Sequence, residues 1–406
     1  MVLERLTERK VIRDPIHGYI NIEYKVIWEA IDSKEFQRLR RIKQLGGDFQ
    51  VYPSAEHTRF THSLGVYEIV RRMVTEIASL SEELSEKDKV AVMLAGLLHD
   101  VGHGPFSHAF EQVTGINHED YTAKIILGNT EINAILSKVS RTLAKEVVSI
   151  IQHKHVNDLL NQIVSAQLDA DRMDYLLRDS YYSATSYGQF DLERILRTLR
   201  VREHDDGKKY LVIKESGIHS VEDYIMARYQ MYWQVYYHPV ARAYEALFIK
   251  FFSRLKDIHK ENKSFFKDLP YLLPFLENKE IDEEEYFRLD EAALQYYWNI
   301  IQHKNDEIAA DLASRLINRD LFEYEDYTEE KFEKLKKELV EKGYDPTYYL
   351  RKESITASTY SPFTGQKILI IRKDGTILEL EKASTIVNSI SKGEIKKEGT
   401  IFFPKI

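Results

Sequence analysis

The chain has no cysteine. Disulfides and thiolate metal sites are thereby excluded, and any metal must be held by His, Asp, Glu or water. The absence also fits a reducing cytoplasm. No apolar run approaches the ~18 residues that a membrane-spanning helix needs. The N-terminal stretch MVLERLTERKVIRD is charged and has no apolar segment, so no signal peptide is expected. There is no excess of positive charge: 57 basic residues face 65 acidic ones, for a formal net charge of −8. That balance argues against a nucleic-acid coat protein, yet it leaves room for a local basic pocket. Internal repeats and low-complexity tracts are absent too. The expectation is a soluble, cytoplasmic protein with no membrane partner, whose principal ligand is not nucleic acid.

What is present is ample apolar surface. The 406 residues are 43% hydrophobic, enough for a buried core and for roughly two to three domains. Residues 11–23, VIRDPIHGYINIE, predict two short strands about a Pro/Gly turn. Residues 26–43 read as a helix, with Arg38, Arg40, Arg41 and Lys43 towards its end and Gly46–Gly47 stopping it. From Val66 the apolar positions 66, 67, 70, 73, 74 and 77 share one helical face, with Thr61 as the expected N-cap. Residues 85–100 open with Ser85 and Asp88 at capping-box spacing and continue as VAVMLAGLL, a helix buried on all sides, with Gly102 available to close it.

Helical patterns follow over 119–127, 131–138, 142–153 and 158–179. Residues 200–213 read as a β-hairpin about Asp-Gly, and 218–260 as a long helical stretch rich in Tyr. Further helices with acidic loops cover 262–318, and 326–343 reads as a charged helix. KILIIRKDGTILEL is a strand–turn–strand signal, and TIFFPKI a last strand. The expected fold class is mainly α: a helical core with short β-hairpins and a small C-terminal α+β unit. A boundary near 325 divides the chain into 1–325 and 326–406.

Residues 97–108, LLHDVGHGPFSH, gather three of the chain's fourteen histidines around one aspartate. His99 and Asp100, side by side at the end of an apolar helix, would be costly to bury unpartnered. A His–Asp hydrogen bond capping the helix is one answer, and the ordinary one for an isolated pair. A divalent metal, which suits N/O ligands, is the other. The pair is not isolated. His62 stands at the mouth of the preceding helix, and residues 166–180, AQLDADRMDYLLRDS, carry Asp169, Asp171, Asp174 and Asp179. Such a run is usually a solvated face. Here Asp171, Tyr175 and Asp179 fall at i, i+4 and i+8, with Arg172 seven residues before Asp179. That mixture suits the lining of a site. The glycines and Pro105 are expected to turn the chain after His99–Asp100, so that the later histidines fold back.

The order His62…His99–Asp100…Asp171 resembles the signature of the HD-domain metal-dependent phosphohydrolases. The strings DPIHGYI, EFQRLRRIKQLGG, HTRFTHSLGV, HDVGHGPFSH and DRMDYLLRD are similar to one branch, the deoxynucleoside triphosphate triphosphohydrolases. Bacterial stand-alone members belong there, as does the catalytic core of vertebrate members with an added SAM domain. The similarity covers roughly residues 10–260.

The resemblance implies metal ligation by His62, His99, Asp100 and Asp171. Two imidazoles and two carboxylates suit Mn²⁺, Fe²⁺, Zn²⁺ or Ni²⁺ better than Mg²⁺, and additional Mg²⁺ would accompany the nucleotide. It further implies hydrolysis of a dNTP between the 5′ oxygen and the α-phosphate, giving a deoxynucleoside and triphosphate. His103, His108 and His118 match the family's catalytic histidines. Arg59 and Arg172 match phosphate contacts. Gln44, Tyr175, Asp179 and Tyr236 match sugar contacts, with Tyr175 and Asp179 excluding a 2′-hydroxyl. Lys10, Val11, Asp32, Gln37 and Arg40 match an activating site for GTP or a dNTP at the subunit interface of a homotetramer. Spacing alone reads 35–43 as an amphipathic helix with an exposed basic face. Two other functions compete. One is an HD hydrolase of cyclic nucleotides, alarmones or nucleoside monophosphates. The other is a non-catalytic assembly that binds nucleotides or single-stranded nucleic acid.

Overall fold

A computed structural model describes residues 3–277, 281–356, 367–391 and 397–406. β1 (Arg5–Asp14) and β2 (Gly18–Tyr24) pair antiparallel about the DPIHG turn. The helix expected over 26–43 is broken at Ser33 into α1 (Lys25–Asp32) and α2 (Lys34–Arg38). The Ser33 hydroxyl accepts the Phe36 N–H and caps α2, a local bond that competes with helix continuation. A 3₁₀ turn, Leu39–Arg41, ends the segment before Gly46–Gly47 is reached.

Next comes α3 (Arg59–Glu76), whose N-cap is Thr58 rather than Thr61. His62 thus lies within its first turn, buried. The helix Glu86–Leu98 carries the expected capping box of Ser85 and Asp88, is buried from Val90 to Leu98, and packs against α3. Gly102 does not close it in a left-handed cap. Instead Gly102 is a point of close approach: a Cβ there would lie 2.3 Å from the His118 carbonyl and from the Thr122 nitrogen. The left-handed turn is made by Phe106 (φ 58°) and Ser107 (φ 48°), not by the glycines of the motif. Ser107 then leads into the helix His108–Thr114, and His118 opens the helix His118–Leu127.

The stretch 158–179 is two helices, Asp158–Val164 and Ala170–Tyr182. Asp169 caps the second, its carboxylate accepting the Arg172 backbone N–H at 2.7 Å. The Tyr-rich stretch also divides. Helix Ile218–Met231 runs into one π-helical turn, Tyr232–Tyr236, and Pro239 starts the helix Pro239–Glu261 at a position where its missing N–H is harmless.

One four-stranded sheet joins the hairpin Leu199–Glu203/Lys209–Lys214 to the hairpin Leu369–Ile371/Ile377–Glu379. The junction is parallel, with Val212 opposite Leu369. A three-stranded sheet sets Lys397–Phe403 between Glu323–Asp326 and Arg351–Thr356. The four-stranded sheet therefore joins strands from both sides of residue 325, and the strand Glu323–Asp326 of the three-stranded sheet contains that residue. Two large apolar cores result. The first holds α1, α3 and the Glu86–Leu98 helix, and the second is rich in aromatics from Phe106, Phe110, Phe248 and Trp298. The loop after His99–Asp100 passes from one to the other, with Val101 in the first and Phe106 in the second. Among the described residues no helix is long and apolar enough to cross a membrane.

Candidate active site

Three helices bring four donors together. His62 comes from the first turn of α3, His99–Asp100 from the end of the Glu86–Leu98 helix, and Asp171 from the first turn of Ala170–Tyr182. His62 Nε2 lies 3.0 Å from Asp171 Oδ1 and 3.8 Å from Asp100 Oδ2. His99 Nε2 lies 3.4 Å from Asp100 Oδ1 and 3.6 Å from Asp171 Oδ1. The other ring nitrogens are occupied: His62 Nδ1 pairs with Asp174 Oδ2 at 2.8 Å and His99 Nδ1 with the Gly96 carbonyl at 2.9 Å. Each Nε2 is thereby turned inward, as in carboxylate–histidine–metal arrangements. His99 Nε2 is buried without a hydrogen bond. Donor atoms of His62, His99 and Asp100 lie within 4.8 Å of one another, and the mixed N/O set fits a divalent transition metal.

Charge in this cluster is mutually sustained. Burial pulls His62 down, but Asp171 and Asp174 carry it up to about 10. Burial likewise opposes the charge of His99, and Asp100 and Asp171 raise it. Burial would lift Asp100, yet Arg59, His99 and His103 hold it well below the usual carboxylate range. Asp171 is held low by His62 and His99 against the same burial. Two carboxylates facing two imidazoles are also the charge balance that a divalent cation would meet here.

The later histidines fold back against this cluster. His103 is buried and stacks on His118 with ring centroids 3.8 Å apart, and its Nε2 lies 3.3 Å from Asp100 Oδ1. Burial, with Arg59 nearby, lowers the His103 pKa well below its ordinary value. Glu111 was not singled out from the sequence, and it organises the other two. It pairs with His118 Nδ1, accepts the His118 backbone N–H at 2.8 Å, and meets His108 Nδ1 at 3.1 Å. Burial would raise the Glu111 carboxyl, but the two histidines hold it far below its usual range. His108 is 75% exposed and stands at the cavity rim. Asp100, His103 and His118 form a second group whose donors lie within 4.8 Å of one another.

All thirteen residues expected to serve as metal, catalytic or substrate groups line one cavity of about 530 Å³. Its two expected phosphate contacts are already engaged by protein acids. Arg59 reaches Asp100 Oδ2 at 2.5 Å and Ser107 Oγ at 2.8 Å. Arg172 pairs with Asp169 and donates to the Ala166 carbonyl at 2.7 Å. Tyr175 and Tyr236 meet edge to face at 6.1 Å, and the Tyr236 hydroxyl donates to Asp179 Oδ2 at 2.8 Å. Gln44 Oε1 is buried with no hydrogen-bond partner. His57, Arg228, Arg242 and Glu245 are further polar groups of the site region that motif reading passed over.

The expected activator residues lie apart from this cavity. Lys10 and Val11 are exposed on β1, and Asp32 is exposed at the end of α1. Gln37 donates to the Ile31 carbonyl at 2.8 Å, and Arg40 donates to Gln37 Oε1 at 2.8 Å while lying 3.6 Å over the Phe60 ring. Their neighbour Arg38 points the other way. It is fully buried and donates to the carbonyls of His103 and Leu289 at 2.8 and 3.1 Å.

A helical core that presents His, His–Asp and Asp from three helices is an HD domain. Residues 59–179 match the HD domain and residues 190–269 the HD associated region, and the chain belongs to this family. It is 44% identical over 411 residues to Uncharacterized protein YwfO of Bacillus subtilis (strain 168), covering 99% of this chain and 93% of that protein. It is 31% identical over 284 residues to deoxynucleoside triphosphate triphosphohydrolase SAMHD1 of Bos taurus, covering 61% of this chain and 48% of that one. The chain thus spans about half the length of the SAMHD1 relative. Among solved structures, a phosphohydrolase from Bacteroides thetaiotaomicron VPI-5482 superposes with a TM-score of 0.85 at 31% identity, over 98% of this chain and all of that one.

Proposed function

We propose that this HD-family protein is a metal-dependent hydrolase that splits a dNTP into a deoxynucleoside and inorganic triphosphate. One observation carries the reading: the donors His62, His99, Asp100 and Asp171 open into the same cavity as Tyr175, Asp179 and Tyr236. A divalent cation bound by those four residues, Mn²⁺, Fe²⁺, Zn²⁺ or Ni²⁺, with Mg²⁺ accompanying the nucleotide, would supply Lewis acidity towards the α-phosphoryl group.

The protein's own groups do the rest. Arg59 and Arg172 offer guanidinium edges to the phosphates and share their charge with Asp100 and Asp169. Asp179 accepts the sugar 3′-hydroxyl, and the Tyr175–Tyr236 pair narrows the cavity against a 2′-hydroxyl. The departing 5′ oxygen is a poor leaving group and needs a proton. His118 gives that proton, oriented by Glu111 at its Nδ1 and by His103 against its face. His108, paired with the same Glu111, is the other donor candidate.

In this reading a guanine nucleotide or dNTP activates the enzyme at Lys10, Val11, Asp32, Gln37 and Arg40, at an interface of a homotetramer in the cytoplasm. Support comes from the exposure of Lys10, Val11, Asp32 and Arg40 outside the cavity, with Gln37 half-buried beside them, and from Arg38, which links α2 to the His103 carbonyl. Residues 1–325 carry catalysis and the regulatory segment, and residues 326–406 buttress them through shared sheets.

The test is hydrolysis of each dNTP with Mn²⁺ or Mg²⁺, alone and in pairwise nucleotide mixtures, with products separated by ion exchange. Triphosphate with deoxynucleoside is the expected pair, and activity confined to mixtures establishes the activator. Release of monophosphate or pyrophosphate assigns the site to another HD substrate.

A further inference from the structure

Asp179 has both carboxylate oxygens engaged by protein donors. Oδ2 accepts the Tyr236 hydroxyl at 2.8 Å, and Oδ1 lies 2.8 Å from His57 Nε2. His57 stands two residues before α3, far from Asp179 in sequence and outside the histidine cluster. It is buried, and its Nδ1 has no partner, so the ring proton belongs on Nε2, where Asp179 accepts it. The ring also lies flat on Tyr182, with centroids 4.6 Å apart and planes 14° apart. Tyr182 follows Asp179 by three residues on the same helix. His57 therefore grips that helix twice, through its face and through its N–H.

The two donors approach Asp179 on different oxygens, so the carboxylate plane cannot turn without breaking one of them. A carboxylate held by Tyr236 alone would keep a broad torsion about its last bond. The remaining lone pairs are accordingly fixed in direction, and Asp179 lines the cavity. Gln44 Oε1 lines the same cavity, buried and unpartnered. A site with buried acceptors discriminates strongly against a ligand that brings no donor, because the acceptor is then left desolvated and unpaired.

We propose that His57 is a positioning residue: it locks Asp179 in the orientation that accepts a sugar 3′-hydroxyl, and so makes a free 3′-hydroxyl a requirement for a nucleotide here. This inference rests on the dNTP reading above. It adds that 3′-deoxy and 3′-blocked nucleotides are excluded by a histidine that never touches them.

The experiment compares each dNTP with its 2′,3′-dideoxy counterpart, by direct binding and by turnover, in wild type, His57→Phe and His57→Gln. Phenylalanine keeps the stack on Tyr182 and removes the donor. Glutamine puts an N–H near the place of Nε2. In His57→Phe, dNTP affinity should fall about 10-fold or more, the scale of a lost hydrogen bond to a charged group. Dideoxynucleotide affinity should change less than about 3-fold, and His57→Gln should recover most of the preference. A parallel loss for both ligands means that His57 is merely structural, and no loss means that it is irrelevant. Either overturns the proposal, as does equal or absent binding of the two ligands by wild type. If His57→Phe does not fold, His57→Asn replaces it, since its amide is too short to reach Asp179 while that of Gln reaches. Wild-type preference for dNTP binding without triphosphate release overturns the hydrolase reading and leaves this one standing.

Discussion

Gly65 and Asp174 share a space that admits no side chain between them: a Cβ on Gly65 would lie 1.9 Å from Asp174 Oδ1 and 2.4 Å from Arg178 Nη2. Asp174 is fully buried and accepts from His17 at 2.6 Å, from His62 at 2.8 Å, and from Arg178 at 2.8 and 2.9 Å. Arg178 also reaches Asp14 at 2.8 Å. The β1–β2 turn, α3 and the Ala170–Tyr182 helix are thus joined through one carboxylate. Gly65→Ala should push this buried pair apart and remove on the order of 3–5 kcal/mol of stability, measured by denaturant unfolding. Unchanged stability would refute the close approach.

Asp174→Asn should weaken divalent metal binding. Asp174 fixes the tautomer and plane of His62, and such outer partners are typically worth about 10–100-fold in metal affinity. Chelator competition on the folded variant measures it. Affinity equal to wild type would mean that His62 is oriented without Asp174.

Glu111→Gln should lower kcat about 100-fold with little change in KM, because an amide cannot stabilise a charged His118 as a carboxylate does. Steady-state kinetics on a dNTP reads it directly. A loss confined to KM would make Glu111 a binding group.

Glu291 should impose a pH dependence on stability. Its Oε1 accepts the backbone N–H groups of Lys43 at 2.9 Å and Phe106 at 3.1 Å, while Oε2 is buried without a partner. Burial pushes its carboxyl up to about 7, against 4.5 for an unperturbed glutamate. Between those values the folded chain holds a proton that the unfolded chain has released. The stabilisation is complete below the lower value, declines as pH rises between them, and is gone above about 7, on the order of 3 kcal/mol in all. Glu291→Gln should gain on wild type in urea unfolding when pH 8 is compared with pH 5. A difference that does not vary with pH would refute the assignment.

The histidine and aspartate motifs were legible because the chemistry concentrates them in short strings, and the capping box of Ser85 and Asp88 is local by nature. Helix boundaries were harder to read. α3 starts after Thr58, which is held extended by a bridge to Lys43 and makes no side-chain cap, and Ser33 caps and so breaks a helix that periodicity alone would continue. Glycines are the usual left-handed residues, and with Pro105 they are the expected turn formers after His99–Asp100, yet the positive φ values there belong to Phe106 and Ser107. Both are held by long-range partners, Glu291 on the Phe106 N–H and Arg59 on the Ser107 hydroxyl. Asp174 stood among four acids in one helix, but its role depends on His17, which lies on the first hairpin. Glu111 and His57 were missed for the same reason: their partners are brought to them by tertiary structure.

The parallel register of Val212 against Leu369 makes the middle of the chain wait for its end. During synthesis the strand Lys209–Lys214 leaves the ribosome with its outer edge unpaired until Leu369–Ile371 emerges. At ribosomal speeds of about 5–20 residues per second, that delay is on the order of ten seconds. Throughout it that strand keeps an open β edge, the kind of edge with which another chain can pair.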